Sequence, residues 1–128
     1  MENKKPANKE SSPDRVHFQQ LRKKGYKFQV APWLLVYFQL TENKKIRILW
    51  NLSRKVSHAV VRNRLKRWCR EFVRIHLLDV GLNHGLDLNF VFKPQHKDFY
   101  KELRYEEVWS ELFKLEKRLK ETLRKNRE

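Results

Sequence analysis

The side chains with obvious chemical capacity in this chain are cations at helical spacing. Between Arg54 and Arg74 stand eight Lys or Arg and a single carboxylate, Glu71. Arg62, Lys66, Arg70 and Arg74 recur every fourth residue, with Asn63 and Arg67 among them. That spacing gathers side chains on one side of an α-helix. The chemistry it suits is phosphate binding, because guanidinium forks bond phosphate oxygens in pairs and ammonium groups neutralise charge. Like charges at i,i+4 destabilise an isolated helix by about 0.2–0.5 kcal/mol per pair. Several such pairs in register, with Glu71 the only carboxylate to relieve them, imply that a polyanion supplies the missing charge. A merely solvated helix face ordinarily mixes signs.

Other chemistries find little to work with. His17, His58, His76, His84 and His96 show no paired ligand spacing, and Cys69 is the sole cysteine. That argues against a zinc site and rules out an internal disulfide. No nucleophile is marked by a neighbouring base, and three isolated glycines form no phosphate loop or nucleophile elbow. Eight of the fifteen carboxylates lie from Asp98 onward, where they balance Lys and Arg rather than pairing as a nuclease site. No apolar run approaches the roughly 18 residues of a membrane span, and the first residues lack the apolar stretch of a signal peptide. A net charge of +15 favours anionic partners, nucleic acid first. The expectation is a cytoplasmic protein that binds nucleic acid, with no metal or cofactor held by its own side chains.

The basic stretch must be positioned by a fold. At 128 residues the chain suits one domain, and 40% hydrophobic content is enough to build its core. Residues 1–13 read as a flexible tail, 14–125 as the domain and 126–128 as a frayed end. Asp14 caps a helix from Arg15 to Lys24, which Gly25 stops. Trp33 to Leu40 and Ile46 to Leu52 read as strands joined by the polar turn Thr41–Lys45, hence an antiparallel hairpin. Ser57 is the expected N-cap of the basic helix, which runs to about Leu78. Its apolar seam is Val61, Leu65, Trp68, Phe72 and Ile75. A third strand spans Asp87 to Lys93, closed by Pro94. A last helix begins at Asp98 or Tyr105 and reaches about Lys125, with Tyr105, Val108, Leu112, Leu115 and Leu119 as its seam. The order α-β-β-α-β-α implies an α+β (α/β sandwich) class, a small sheet with helices packed on it.

Ala59-Val-Val-Arg-Asn-Arg-Leu-Lys-Arg67, preceded by Ser53-Arg-Lys-Val56, resembles the signature of the bacterial ribonuclease P protein subunit. That family carries Lys-Lys-Ile-Gly-Asn-Ala-Val-x-Arg-Asn-Arg-Ile-Lys-Arg. The ending Phe-Lys-Pro94 and the helix start Arg-Tyr-Glu-Glu107 also match, so the resemblance spans about Asp14 to Leu123. It departs at Ser57-His58, where the family has Gly-Asn, at the strand Ile48–Leu52, and by about five extra residues around His96–Lys101.

The resemblance implies a fold with an additional short strand and a left-handed crossover through the basic helix. It implies a subunit of the enzyme that removes 5′ leaders from precursor tRNA, with Mg²⁺ in the holoenzyme and chemistry carried by the RNA. The catalytic RNA is the expected partner of Arg54, Lys55, Arg62, Asn63, Arg64, Lys66, Arg67 and Arg70. The precursor leader is expected in a cleft between the first helix and the sheet, at Phe18, Arg22, Trp33 and Val36. No membrane or protein partner is required. Two rival classes are a basic module of ribosomal or DNA-binding type and a protein-only nuclease. Strands where a helix-turn-helix needs helices disfavour DNA binding, and the missing acid cluster disfavours the nuclease.

Overall fold

The computed structural model describes the backbone of residues 15–78 and 85–127, and the side chains of 19–78 and 85–125. The expected tail, the Asp14 cap and the loop at Asn83–His84 fall outside these residues. Helix α1 spans Arg15–Lys24, strands β1, β2 and β3 span Tyr26–Ala31, Leu34–Thr41 and Ile46–Asn51, and the basic helix α2 spans Ala59–His76. Strand β4, Gly85–Phe92, is followed by a short helix α3, Phe99–Glu102, and a long helix α4, Tyr105–Arg127. The last helix therefore starts at both expected places, interrupted at Leu103–Arg104. Glu107 reaches back to accept the Arg104 backbone N–H at 2.8 Å, which is half of a capping box.

The four strands order as β1-β2-β4-β3. This corrects the expected hairpin: β2 and β3 are not neighbours, because β4 lies between them. β2 is antiparallel to both β1 and β4, and β3 runs parallel to β4 through the α2 crossover. The reason lies in burial. Seven of the eight residues of β4 are buried, whereas every residue of β3 is half-exposed, which suits an edge. The turn at Thr41–Lys45 is real, with Lys44 at φ 59°, but it spans a gap that β4 fills. Gly85 makes that insertion possible, since a Cβ there would collide with the Thr41 hydroxyl and the Asn43 amide oxygen.

Strand β1 is the additional strand. Its alternation of Tyr26, Phe28 and Val30 with Lys27 and Gln29 is a period-two pattern, joined to β2 through Pro32 and Trp33 alone. Gly25 lets α1 turn into it. A Cβ there would lie 2.6 Å from the Leu21 carbonyl oxygen and 2.8 Å from that of Phe38.

Alternation gives the sheet two unlike faces. One presents Val30, Leu34, Val36, Phe38, Leu86, Leu88, Phe90 and Phe92 to the main apolar cluster, closed by α2 and α4. The other carries Gln29, Leu35, Tyr37, Asp87 and Asn89, with Arg47, Leu49 and Asn51 on β3, and α1 lies against it.

The buried seam of α2 is Val61, Leu65, Cys69, Phe72 and Val73. It is rotated from the expected stripe, leaving Trp68 half-buried on the flank facing α4 and Ile75 exposed. Three-and-four spacing drifts around a 3.6-residue helix, so five positions define a face only loosely. His58 rather than Ser57 is the N-cap, and it makes no side-chain capping bond. On α4, Val108, Leu112, Leu115 and Leu119 are buried as expected, while Tyr105 is 45% exposed.

Candidate nucleic-acid interface

The outer crest of α2 carries the exposed side chains Asn63, Arg67, Arg70 and Arg74, with Arg62 and Lys66 half-buried beside them. Arg54 and Lys55 are exposed in the turn that leads into the helix, which buried Val56 pins to the core. No carboxylate stands in the first turn of α2, so its cations oppose the positive end of the helix dipole. That arrangement is unfavourable in the free protein and is relieved by an anion. Arg62 donates through Nη1 to the Ser57 carbonyl oxygen at 2.6 Å, which holds the fork near the helix entrance. The Arg70 guanidinium lies 5.6 Å from the ring centre of Trp50 on the edge strand. Stacking of this kind fixes a planar cation without consuming its donors.

Arg64 is placed differently. Its Nη2 donates to the carbonyl oxygens of Tyr100 at 3.2 Å and Lys101 at 2.9 Å, and its guanidinium sits 5.0 Å from the Trp68 ring centre. It thus fastens α2 to the end of α3, where helix carbonyls lack partners of their own. The Tyr100 hydroxyl in turn donates to the Lys93 carbonyl oxygen and lies 3.2 Å from that of Trp33. Burial pushes the Tyr100 phenol well up from its ordinary range. The extra residues before α4 are therefore wired into both the core and the basic helix.

The polar face of the sheet forms the second part. Arg22 of α1 lies 5.5 Å from the ring centre of half-buried Tyr37 on β2. Arg47 grips buried Asp87 with both ends of its fork, at 2.9 and 3.0 Å. Asn89, opposite Tyr37 in the register, is fully buried, and both amide atoms lack a hydrogen-bond partner within the protein. The Asn51 amide oxygen on the neighbouring strand is in the same condition. At the far end Lys93 Nζ donates to Gln29 Oε1 at 3.1 Å.

A family model described as ribonuclease P matches residues 8–120. The chain belongs to the ribonuclease P family. It is 27% identical over 95 residues to the ribonuclease P protein component of Fusobacterium nucleatum, covering 74% of this chain and 83% of that one. It is 36% identical over 76 residues to the component of Chloroflexus aurantiacus, covering 59% of this chain and 54% of that one. Among solved structures, the ribonuclease P protein of Thermotoga maritima superposes with a TM-score of 0.67 at 25% identity, over 86% of this chain and 97% of that one.

Within this family framework the sequence-predicted residues divide. Asn63, Arg67 and Arg70 are exposed on α2 with Arg62 and Lys66 half-buried beside them, Arg54 and Lys55 are exposed in the turn before it, and Arg64 is committed to α3. Of the cleft residues, Arg22 lies on the polar face. Val36 is fully buried and Trp33 is 7% exposed, and both point into the main apolar cluster, where Trp33 packs on Phe92, Phe99 and Tyr100. That corrects their assignment to the cleft. A one-residue shift in strand registration swaps the faces, so the residues of β2 on the polar face toward α1 are Leu35 and Tyr37. The Phe18 side chain lies outside the described residues. Sequence reasoning missed Asn89 and Asn51, although a polar residue amid an otherwise apolar central strand is a visible signal.

Cys69 is fully buried, and burial pushes its thiol well up, so it is an inert filler of the core. Among the described residues, no group of three or more His, Cys, Asp or Glu is placed to hold a metal ion. No described helix is long and apolar enough to cross a membrane.

Proposed function

We propose that this chain is the protein subunit of a ribonuclease P holoenzyme, with the α2 crest on the catalytic RNA and the leader of precursor tRNA beside α1. The observation that carries this is the crest itself. Asn63, Arg67, Arg70 and Arg74 stand exposed together, with half-buried Glu71 the one carboxylate on their helix, in a chain of net charge +15. Such a surface binds a phosphate backbone through charge neutralisation and counterion release. The forks of Arg62 and Arg67 and the Asn63 amide add direction to that attraction.

Chemistry falls to the RNA in this reading. Three of the described carboxylates are held in ion pairs: Glu111 with Lys114 at 2.6 Å, Glu116 with Lys120 at 3.0 Å, and Asp87 with Arg47. In this reading the Mg²⁺ of the holoenzyme is held by RNA phosphates. The protein then acts by holding the leader and by screening phosphate repulsion, which lowers the Mg²⁺ needed. In the cleft, Tyr37 offers a ring for a base and Arg22 a charge for the neighbouring phosphate.

The test is cleavage of precursor tRNA by a bacterial ribonuclease P RNA at low Mg²⁺, with and without the protein. The expected result is stimulated cleavage at the mature 5′ end and none from protein alone. No stimulation with a well-matched RNA leaves a basic RNA-binding module of ribosomal type, and cleavage by protein alone overturns the assignment of chemistry to RNA.

A further inference from the structure

The flank of α2 that faces α4 carries a feature that neither the crest nor the cleft uses. Trp68, Tyr105, Trp109, His76 and Phe113 form a continuous line of rings, with successive centroids 6.4, 5.7, 5.3 and 4.8 Å apart. The two helices run in the same direction here, so Trp68 faces Tyr105 and His76 faces Phe113. The line is open to solvent: Tyr105 is 45% exposed and Phe113 44%, and Ile75, next to His76 on α2, is 56% exposed. Trp68, Trp109 and His76 are half-buried as its floor. The Trp109 indole N–H donates to the Trp68 carbonyl oxygen at 3.1 Å, and Arg64 stacks on Trp68, so the floor is braced. Exposed apolar strips mark interaction sites, and this one needs an occupant.

Charge selects it. Arg67 and Arg74 border the strip on the crest of α2, and Lys117 borders it on α4, all exposed. Glu71 is half-buried on the α2 lip, and Glu116 on the α4 lip is paired with Lys120 at 3.0 Å. A second copy carrying +15 is repelled. An unpaired polynucleotide suits both features, because its bases stack on rings while its phosphates meet the bordering cations. Both the strip and the cationic crest are carried by α2, and Arg64 of the same helix lies over the Trp68 ring.

We infer that the groove between α2 and α4 is a second RNA-binding surface, on which Tyr105 and Phe113 stack unpaired bases. This rests on the chain binding RNA and not on the leader cleft, whose rings belong to the opposite face of the sheet. It extends the footprint of the protein to a single-stranded segment flanking the element held by the crest.

The test uses full-length protein with a short unstructured RNA of adenosine and 4-thiouridine, and its abasic counterpart. Photocrosslinks are mapped to residues, and affinities are compared with the Tyr105→Leu, Phe113→Leu double variant. Leucine keeps an apolar side chain against Phe72 and His76 in place of Phe113, and against Trp68 and Trp109 in place of Tyr105, but removes the stacking faces. The expected result is crosslinking at Tyr105, Trp109 or Phe113 and an affinity loss of about five- to thirtyfold for the base-containing RNA alone. The Tyr105→Trp, Phe113→Trp variant restores it. Crosslinks confined to Tyr37 and the α2 crest, with unchanged affinity in the leucine variant, overturn the inference and leave the proposed function standing. Self-association abolished by the leucine variant overturns it as well, because the strip then belongs to a second copy. Failure of the wild-type protein to stimulate precursor cleavage, with strip crosslinks intact, overturns only the proposed function.

Discussion

The two faces of the sheet are made from alternating residues of the same strands, yet they follow opposite rules. On the face toward α2 and α4, Leu86, Leu88, Phe90 and Phe92 of β4 are buried against apolar partners. On the face toward α1 the same strand places Asp87 and Asn89, both buried and both polar. Asp87 is held by the Arg47 fork, while the Asn89 amide has no partner within the protein. Leaving a buried amide unsatisfied costs about 1–3 kcal/mol. The first face therefore supplies stability, and the second gives some of it up, which is the usual mark of a surface shaped for something other than folding.

Exchanging residue types between the faces breaks or sharpens that contrast. Leu88→Asn loses the burial of a leucine and buries a new amide, so it is expected to destabilise the fold by about 3–5 kcal/mol. Asn89→Leu, one residue along, is expected to stabilise it by about 1–2 kcal/mol. Denaturant midpoints measure both. Equal losses at the two positions would show that the faces do not differ in this way.

A second contrast lies within the basic helix. Arg64 and Arg67 are one turn apart and chemically identical, but Arg64 is spent on the carbonyls of Tyr100 and Lys101 while Arg67 stands exposed. Arg64→Ala removes two charge-assisted bonds and the stacking on Trp68, and is expected to cost about 1–3 kcal/mol of stability. Arg67→Ala is expected to stay within about 0.5 kcal/mol of the parent in stability. Its effect should appear in RNA binding, where the slope of log affinity against log salt falls by about 1. If Arg64→Ala unfolds no more easily than Arg67→Ala, the fastening role of Arg64 fails.

These contrasts explain which parts of the molecule were legible in the sequence. The basic helix and the α4 seam at Val108, Leu112, Leu115 and Leu119 were readable because helical periodicity is local. The position of β4 was not, since pairing between Leu34 and Phe92 joins residues that no local pattern connects. Local reading saw a turn at Thr41–Lys45 and inferred a hairpin, whereas the burial of β4 required the centre of the sheet. Strand β1 carries a period-two pattern, but it is only six residues long and ends against Pro32, so local sequence alone does not separate it from a loop. The fate of Arg64 was likewise hidden, because its partners lie on α3, some 36 and 37 residues away. Residue type announced affinity for anions at every position of the helix, and only tertiary contact distinguished the positions that are free to use it.

The smallest expected effect tests the registration of β2. Period-two alternation allows either Val36 or Tyr37 into the cleft, never both. The structure gives Val36 to the core and Tyr37, under the Arg22 guanidinium, to the polar face. Tyr37→Leu removes a stacking surface while keeping an apolar side chain on that face. It is expected to leave the denaturant midpoint nearly unchanged and to weaken binding of precursor tRNA by about fivefold, with mature tRNA unaffected. The Arg22 charge remains, so the slope of log affinity against log salt should stay unchanged. An equal loss on precursor and mature tRNA would mean that Tyr37 supports the fold of the cleft without touching the leader. The polar face would then have to be read through Asn89 and Asn51 instead.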